Sequence, residues 1–169
     1  MRAIYCVPAL YAALLFSTNA LATPARAPIH GSGLTVFSTV INKKTVKVEV
    51  MTREKDIGSP SGKPPTKRLD SCTYTRYPCS LVENIAISVD GKSVFVPRAS
   101  FADLSDLRSA DVSREHGYFI LRLAGGDASE AYQVDLYFNK DLVFHRSFFP
   151  GSEADEPSEE ASYKLIDID

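Results

Sequence analysis

The property that most limits what this chain can become is a run of side chains that alternate with a period of two. Tyr132, Val134, Leu136 and Phe138 alternate with Gln133, Asp135 and Tyr137, and Val46, Val48 and Val50 alternate with Lys47 and Glu49. Successive side chains of an extended strand point to opposite faces, so each segment presents one apolar and one polar face. Wound into a helix, the same residues would form no continuous apolar stripe.

Other segments follow the same rule. Ile85, Ile87 and Val89 alternate with Ala86 and Ser88, Asp90-Gly91 supplies tight-hairpin residues, and Ser93-Val94-Phe95-Val96 returns until Pro97 ends it. Phe119, Leu121 and Leu123 are expected to face inward, Gly125-Gly126-Asp127 to turn, and Asn139-Lys140-Asp141 to lead into a strand over Leu142 to Phe149. Leu34 to Ile41 is rich in β-branched residues, with Asn42-Lys43-Lys44 as its turn, and Ser162 to Ile168 reads as a last edge strand. One segment breaks the pattern. Ala99 to Leu107 reads as a short helical turn capped by Ser100, with Asp103 three residues later and Phe101, Leu104 and Leu107 on one face; a brief strand over Ala110 to Arg114 follows. The sum is about eight short strands with no βαβ alternation and no internal repeat. This predicts an all-β chain, an antiparallel β-sandwich or partly open barrel with one short helical turn, forming a single domain over 34–169.

Residues 1–22 read as a cleaved export signal. Arg2 provides the positive start, Val7 to Phe16 is mostly apolar around Pro8, and Ala20-Leu21-Ala22 has the small-x-small form of a cleavage site. The apolar run is shorter than the ~20 residues of a membrane span, so no stable membrane insertion is expected, and the location implied is periplasmic or secreted. Thr23 to Gly33 reads as a flexible lead-in. Cys6 leaves with the signal and lies too early to be a lipidated mature N-terminus. Cys72 and Cys79 remain, and a disulfide between them is the expected outcome in an oxidising compartment.

The overall net charge of −2 argues against broad nucleic-acid binding, which needs a strongly basic face. Charge is unevenly placed. Arg53 to Ser71, with Gly58, Pro60, Gly62, Pro64 and Pro65 among lysines, reads as a long basic loop; 150–160 reads as an acidic one. These are solvated loops, or the basic one docks on an anionic partner or on the acidic tail.

Motifs for chemistry are few. His30, His116 and His145 show no metal-ligand spacing, and the only cysteines are accounted for by the bridge, so no metal is expected. Asp103, Asp106 and Asp111 lack the glycine and regular spacing of a calcium loop, leaving a capped turn as the reading. Gly125 to Glu130 has neither the lysine of a phosphate loop nor the third glycine of a dinucleotide loop, so no cofactor is expected. No Gly-x-Ser-x-Gly elbow is present, and no residue argues specifically for an enzyme.

Asp90-Gly91-Lys92-Ser93-Val94-Phe95-Val96-Pro97, Phe101-Ala102-Asp103-Leu104, Gly125-Gly126-Asp127-Ala128-Ser129-Glu130 and Asp155-Glu156-Pro157 give the chain a likeness over Cys72 to Tyr163. It resembles small exported proteins of unassigned function from Gram-negative bacteria. The resemblance implies a shared fold and a secreted or periplasmic location, and no substrate.

The functional expectation is a binding protein whose partner is a periplasmic or extracellular protein. Its candidate contact surface is Tyr74, Arg76 and Tyr77 within the disulfide loop, with Lys67 and Arg68 beside it, since interfaces concentrate tyrosine and arginine. The same residues also suit mere coverage of a sheet edge. A specialised form is an inhibitor or immunity protein that plugs an exported hydrolase. The alternative class is a periplasmic small-ligand carrier or enzyme, with a cavity lined by Phe119, Phe138, Phe144 and Phe148.

Overall fold

The computed structural model describes residues 26–55, 72–73, 78–151 and 154–166. The described chain is an antiparallel β-sandwich. One sheet holds β1 (Ala27–Pro28), β6 (Leu107–Glu115), β7 (Tyr118–Gly125), β8 (Tyr132–Phe138), β9 (Val143–Pro150) and β10 (Glu159–Ser162), in that order. The other holds β2 (Gly33–Ile41), β3 (Lys44–Lys55), β4 (Cys79–Val89) and β5 (Lys92–Val94).

Period-two burial builds the core. Val46, Val48 and Val50 are wholly buried and meet Leu121, Leu123, Val134, Leu136 and Phe138 of the opposite sheet in one cluster. Each such side chain contributes on the order of 1.5–3 kcal/mol. Three hairpins close on two-residue turns with both residues left-handed: Asn42 and Lys43 (φ 50° and 65°), Asp90 and Gly91 (51° and 80°), His116 and Gly117 (48° and 92°). This backbone matches the twist of paired strands, which is why Asn, Asp and Gly concentrate there.

Several boundaries differ from the sequence reading. The lead-in is not free over its described part: Ala27 and Pro28 pair with Ala110 and Ser109, and Ile29 is buried with its N–H donated to Arg108 O at 3.0 Å. Proline is tolerated in so short an edge strand, so Pro28 did not exclude one. Arg53, Glu54 and Lys55 belong to β3, paired with Leu81, Ser80 and Cys79 beyond a bulge at Met51/Thr52. The bulge's extra residue, Glu83, is on β4, so β3 alternates on through buried Thr52; the last three residues of β3 are exposed and charged, and no apolar face marks the continuation. Residues 56–71 of the expected basic loop lie outside the described residues, as do 1–25.

The helical turn over Ala99 to Leu107 shrinks to a 3₁₀ turn, Arg98–Ser100, flanked by Pro97; Ser100 Oγ donates back to Pro97 O at 2.7 Å instead of capping. Phe101, Leu104 and Leu107 are buried, but Leu107 already opens β6. The last edge strand is Glu159–Ser162, earlier than expected, and Pro150 closes β9, so the described acidic connection starts at Gly151.

Candidate functional site

Cys72 and Cys79 form a disulfide with Cα atoms 5.7 Å apart, and both are buried. Cys79 opens β4, so the loop they bound is fixed to a core strand. A second tie lies beneath it. Asp106, fully buried, accepts the Thr73 N–H on Oδ2 and the Ser80 N–H on Oδ1, each at 2.9 Å. Its own N–H donates to Ser80 O at 2.6 Å, and its carbonyl accepts the Gly126 N–H at 3.2 Å. One residue thus satisfies both ends of the disulfide loop and the turn after β7. Asp106 takes φ 49°, a left-handed conformation that aspartate tolerates better than most residues.

The neighbours hold this clasp in place. Ser80 Oγ donates to Gly31 O at 2.6 Å, Leu81 bridges to Ser105, and Val82 N–H donates to Leu104 O at 3.1 Å. The Tyr132 hydroxyl accepts from Ser105 N–H at 3.1 Å and donates to Ser105 O. Burial pushes the Tyr132 phenol far above its ordinary value. A Cβ at Gly125 would strike the Tyr132 ring, which explains the first of the paired glycines. Gly126 sits at φ 66°, and Asp127 caps the following 3₁₀ turn by accepting the Ala128 N–H at 2.8 Å.

A different polar arrangement crosses the outer face of the six-stranded sheet. Register places Asp111, Arg122, Asp135 and Ser147 side by side on β6, β7, β8 and β9. Arg122 lies 3.3 Å from Asp135 and 4.0 Å from Asp111, which also meets Arg26 at 3.4 Å. Gln133 donates to Asp135 at 3.0 Å. Burial raises the Asp135 carboxyl above the usual carboxylate range, with Arg122 and Gln133 opposing it only in part. Burial works against the charge of Arg122 as well, but Asp135 and Asp111 outweigh it and hold that guanidinium above its ordinary value. His145 joins the same face through Ser147 at 3.1 Å and Glu160 at 3.3 Å.

A third cluster was not legible from the pattern. Arg146 is buried on the inward side of β9, paired with Asp103 at 2.6 Å and Glu159 at 3.1 Å. It ties the 3₁₀ connection and β10 to the sheet, and a charge at an inward position of a strand was its only signal.

The three expected carboxylates therefore separate: Asp103 serves Arg146, Asp106 the clasp, and Asp111 the outer row. Among the described residues no group of three His, Cys, Asp or Glu is placed to hold a metal ion. The four phenylalanines do not converge on one cavity. Phe119 stacks on Phe138 in the core, Phe148 stacks on Tyr132, and Phe144 meets Tyr118 edge-on. A cavity of about 380 Å³ does open beside Arg26, Arg108, Ser109 and Gln133, but both arginines already face carboxylates, Asp111 and Asp127. Tyr74, Arg76, Tyr77, Lys67 and Arg68 lie outside the described residues. No helix among the described residues is long and apolar enough to cross a membrane. No protein-family model, curated protein or solved structure matches this chain.

Proposed function

We propose that this chain is an exported, non-catalytic binding protein that recognises a protein partner through the loop between Cys72 and Cys79. The single observation behind this reading is the double tie at the loop's base: a disulfide, and a buried Asp106 carboxylate taking the amides of Thr73 and Ser80. A loop held so at both ends loses less conformational freedom on binding than a free one. Tyr74, Arg76 and Tyr77 give it the side chains that most often dominate interface energies, and Lys67 and Arg68 add positive charge that steers an acidic partner. The disulfide supports action outside the reducing cytosol, in the periplasm or beyond it.

The test uses tagged protein as bait in an envelope extract of the source cells. Changing Tyr74, Arg76 and Tyr77 together to alanine is expected to remove a partner that the parent and a distant Lys140→Ala variant both retain. An unchanged set of captured proteins, with the triple variant folded, would rule the loop out as the contact surface.

A further inference from the structure

Among the described residues the sandwich has four sheet edges, and three of them are blunted. β1 is two residues long and contains Pro28; β5 is three residues long and carries Lys92; β10 is four residues long and carries Glu159 and Glu160. Short strands, proline and charge are the devices that prevent edge-to-edge pairing. β2 has none of them. Its nine residues, Gly33-Leu34-Thr35-Val36-Phe37-Ser38-Thr39-Val40-Ile41, include no charge and no proline, and among the described residues β2 pairs with β3 alone. Leu34, Val36 and Val40 are exposed by 49%, 47% and 69%.

We propose that β2 is a pairing edge for a second copy of this chain, joining two four-stranded sheets across a two-fold axis. The backbone fixes which groups are free. Ile41 and Lys44 flank a two-residue turn and so exchange both hydrogen bonds, and the ladder alternates from there. Gly33, Thr35, Phe37, Thr39 and Ile41 thus bond β3, while the N–H and C=O groups of Leu34, Val36, Ser38 and Val40 point away from it.

One antiparallel register engages all four free residues. With Phe37 opposite Phe37 of the second copy, Leu34 faces Val40, Val36 faces Ser38, and Thr35 faces Thr39. Leu34 with Val40 and Phe37 with Phe37 are apolar pairs, Thr35 with Thr39 is a polar one, Val36 with Ser38 is mixed, and no charge is opposed. The strand is self-complementary along its ~30 Å length, which is what an interface between identical copies requires. This inference stands on a different element from the disulfide loop and does not depend on it.

The test combines sedimentation over a wide concentration range with amide exchange read residue by residue. The expected result is a monomer–dimer equilibrium in which the amides of Leu34, Val36, Ser38 and Val40 are protected at high concentration and exchange freely on dilution. Val36→Lys places two like charges beside the axis and is expected to weaken the dimer at least about 100-fold. Glu49 lies opposite Val36 on β3, so the lysine has a partner within the folded monomer. Ser38→Pro removes an outward N–H while sparing the bonds to β3, and provides the second variant if the first fails to fold. A monomer at all concentrations overturns the proposal. So does a dimer in which these four amides exchange freely, or one that neither variant weakens. Protection that persists in the dilute monomer also overturns it, because the chain itself would then cover the edge.

Discussion

Two buried carboxylates in this molecule are satisfied in opposite ways. Asp106 is held by backbone amides, those of Thr73 and Ser80, whereas Asp135 is held by side chains, Arg122 and Gln133. The amides belong to segments that the Cys72–Cys79 disulfide joins at the neighbouring residues, so Asp106 fixes the path of the main chain a second time. Arg122 and Asp135 sit on strands β7 and β8, which pair over seven positions whether or not the two charges meet. A carboxylate bound to the main chain organises a fold. One bound to side chains decorates a sheet that its own backbone bonds already hold.

The largest expected effect breaks the first of these. Asp106→Ala leaves two buried amides without an acceptor, at about 1–3 kcal/mol each, and forces alanine into a left-handed backbone that costs roughly 1–2 kcal/mol more. Denaturant unfolding is expected to register a loss of at least about 3 kcal/mol. Asp106→Asn keeps one acceptor oxygen and tolerates the same backbone, so it falls between parent and alanine. A loss below about 1 kcal/mol for alanine would mean that the disulfide alone positions the loop.

The next effect separates the covalent tie from the hydrogen-bonded one. Replacing Cys72 and Cys79 with serine frees a closure spanning seven positions of sequence, which chain entropy values at about 2–3 kcal/mol. If Asp106 is an independent clasp, the double cysteine variant keeps slow exchange at the amides of Thr73 and Ser80. Loss of both protections together, without global unfolding, would show that the carboxylate works only when the bridge is closed.

The same contrast explains what the sequence made legible. The alternating valines of β3 and the inward Val134, Leu136 and Phe138 of β8 specify strands directly, because burial and periodicity are the same property there. Asp90-Gly91 named its own turn by composition. Asp106 did not, since nothing in Leu104-Ser105-Asp106-Leu107 distinguishes a helical turn from a left-handed kink until Ser80 and Thr73 arrive from 26 and 33 positions away. The end of β3 escaped because Arg53, Glu54 and Lys55 are all exposed and charged, so no apolar face marks them as strand; only pairing with Leu81, Ser80 and Cys79 extends β3 that far. Arg122 and Asp135 were visible as outward charges, but their adjacency depends on register, which no single strand encodes.

The smallest effect tests the side-chain carboxylate by pH. Unfolded, Asp135 titrates at the ordinary aspartate value; folded, burial raises it, and Arg122 and Gln133 offset only part of that rise. Between the two values the folded chain keeps a proton that the unfolded chain has released. The native state binds more protons there, so this residue's contribution to stability falls as pH rises through the window and levels off above the folded value. Asp135→Asn cannot titrate. Its stability relative to the parent is therefore expected to improve as pH climbs from below the ordinary aspartate value to just above it, read as the difference between two unfolding curves at each pH. A difference running the other way would mean that Arg122 attracts the ionised carboxylate more strongly than burial repels it, and the outer row would then count as a net stabiliser of the sheet.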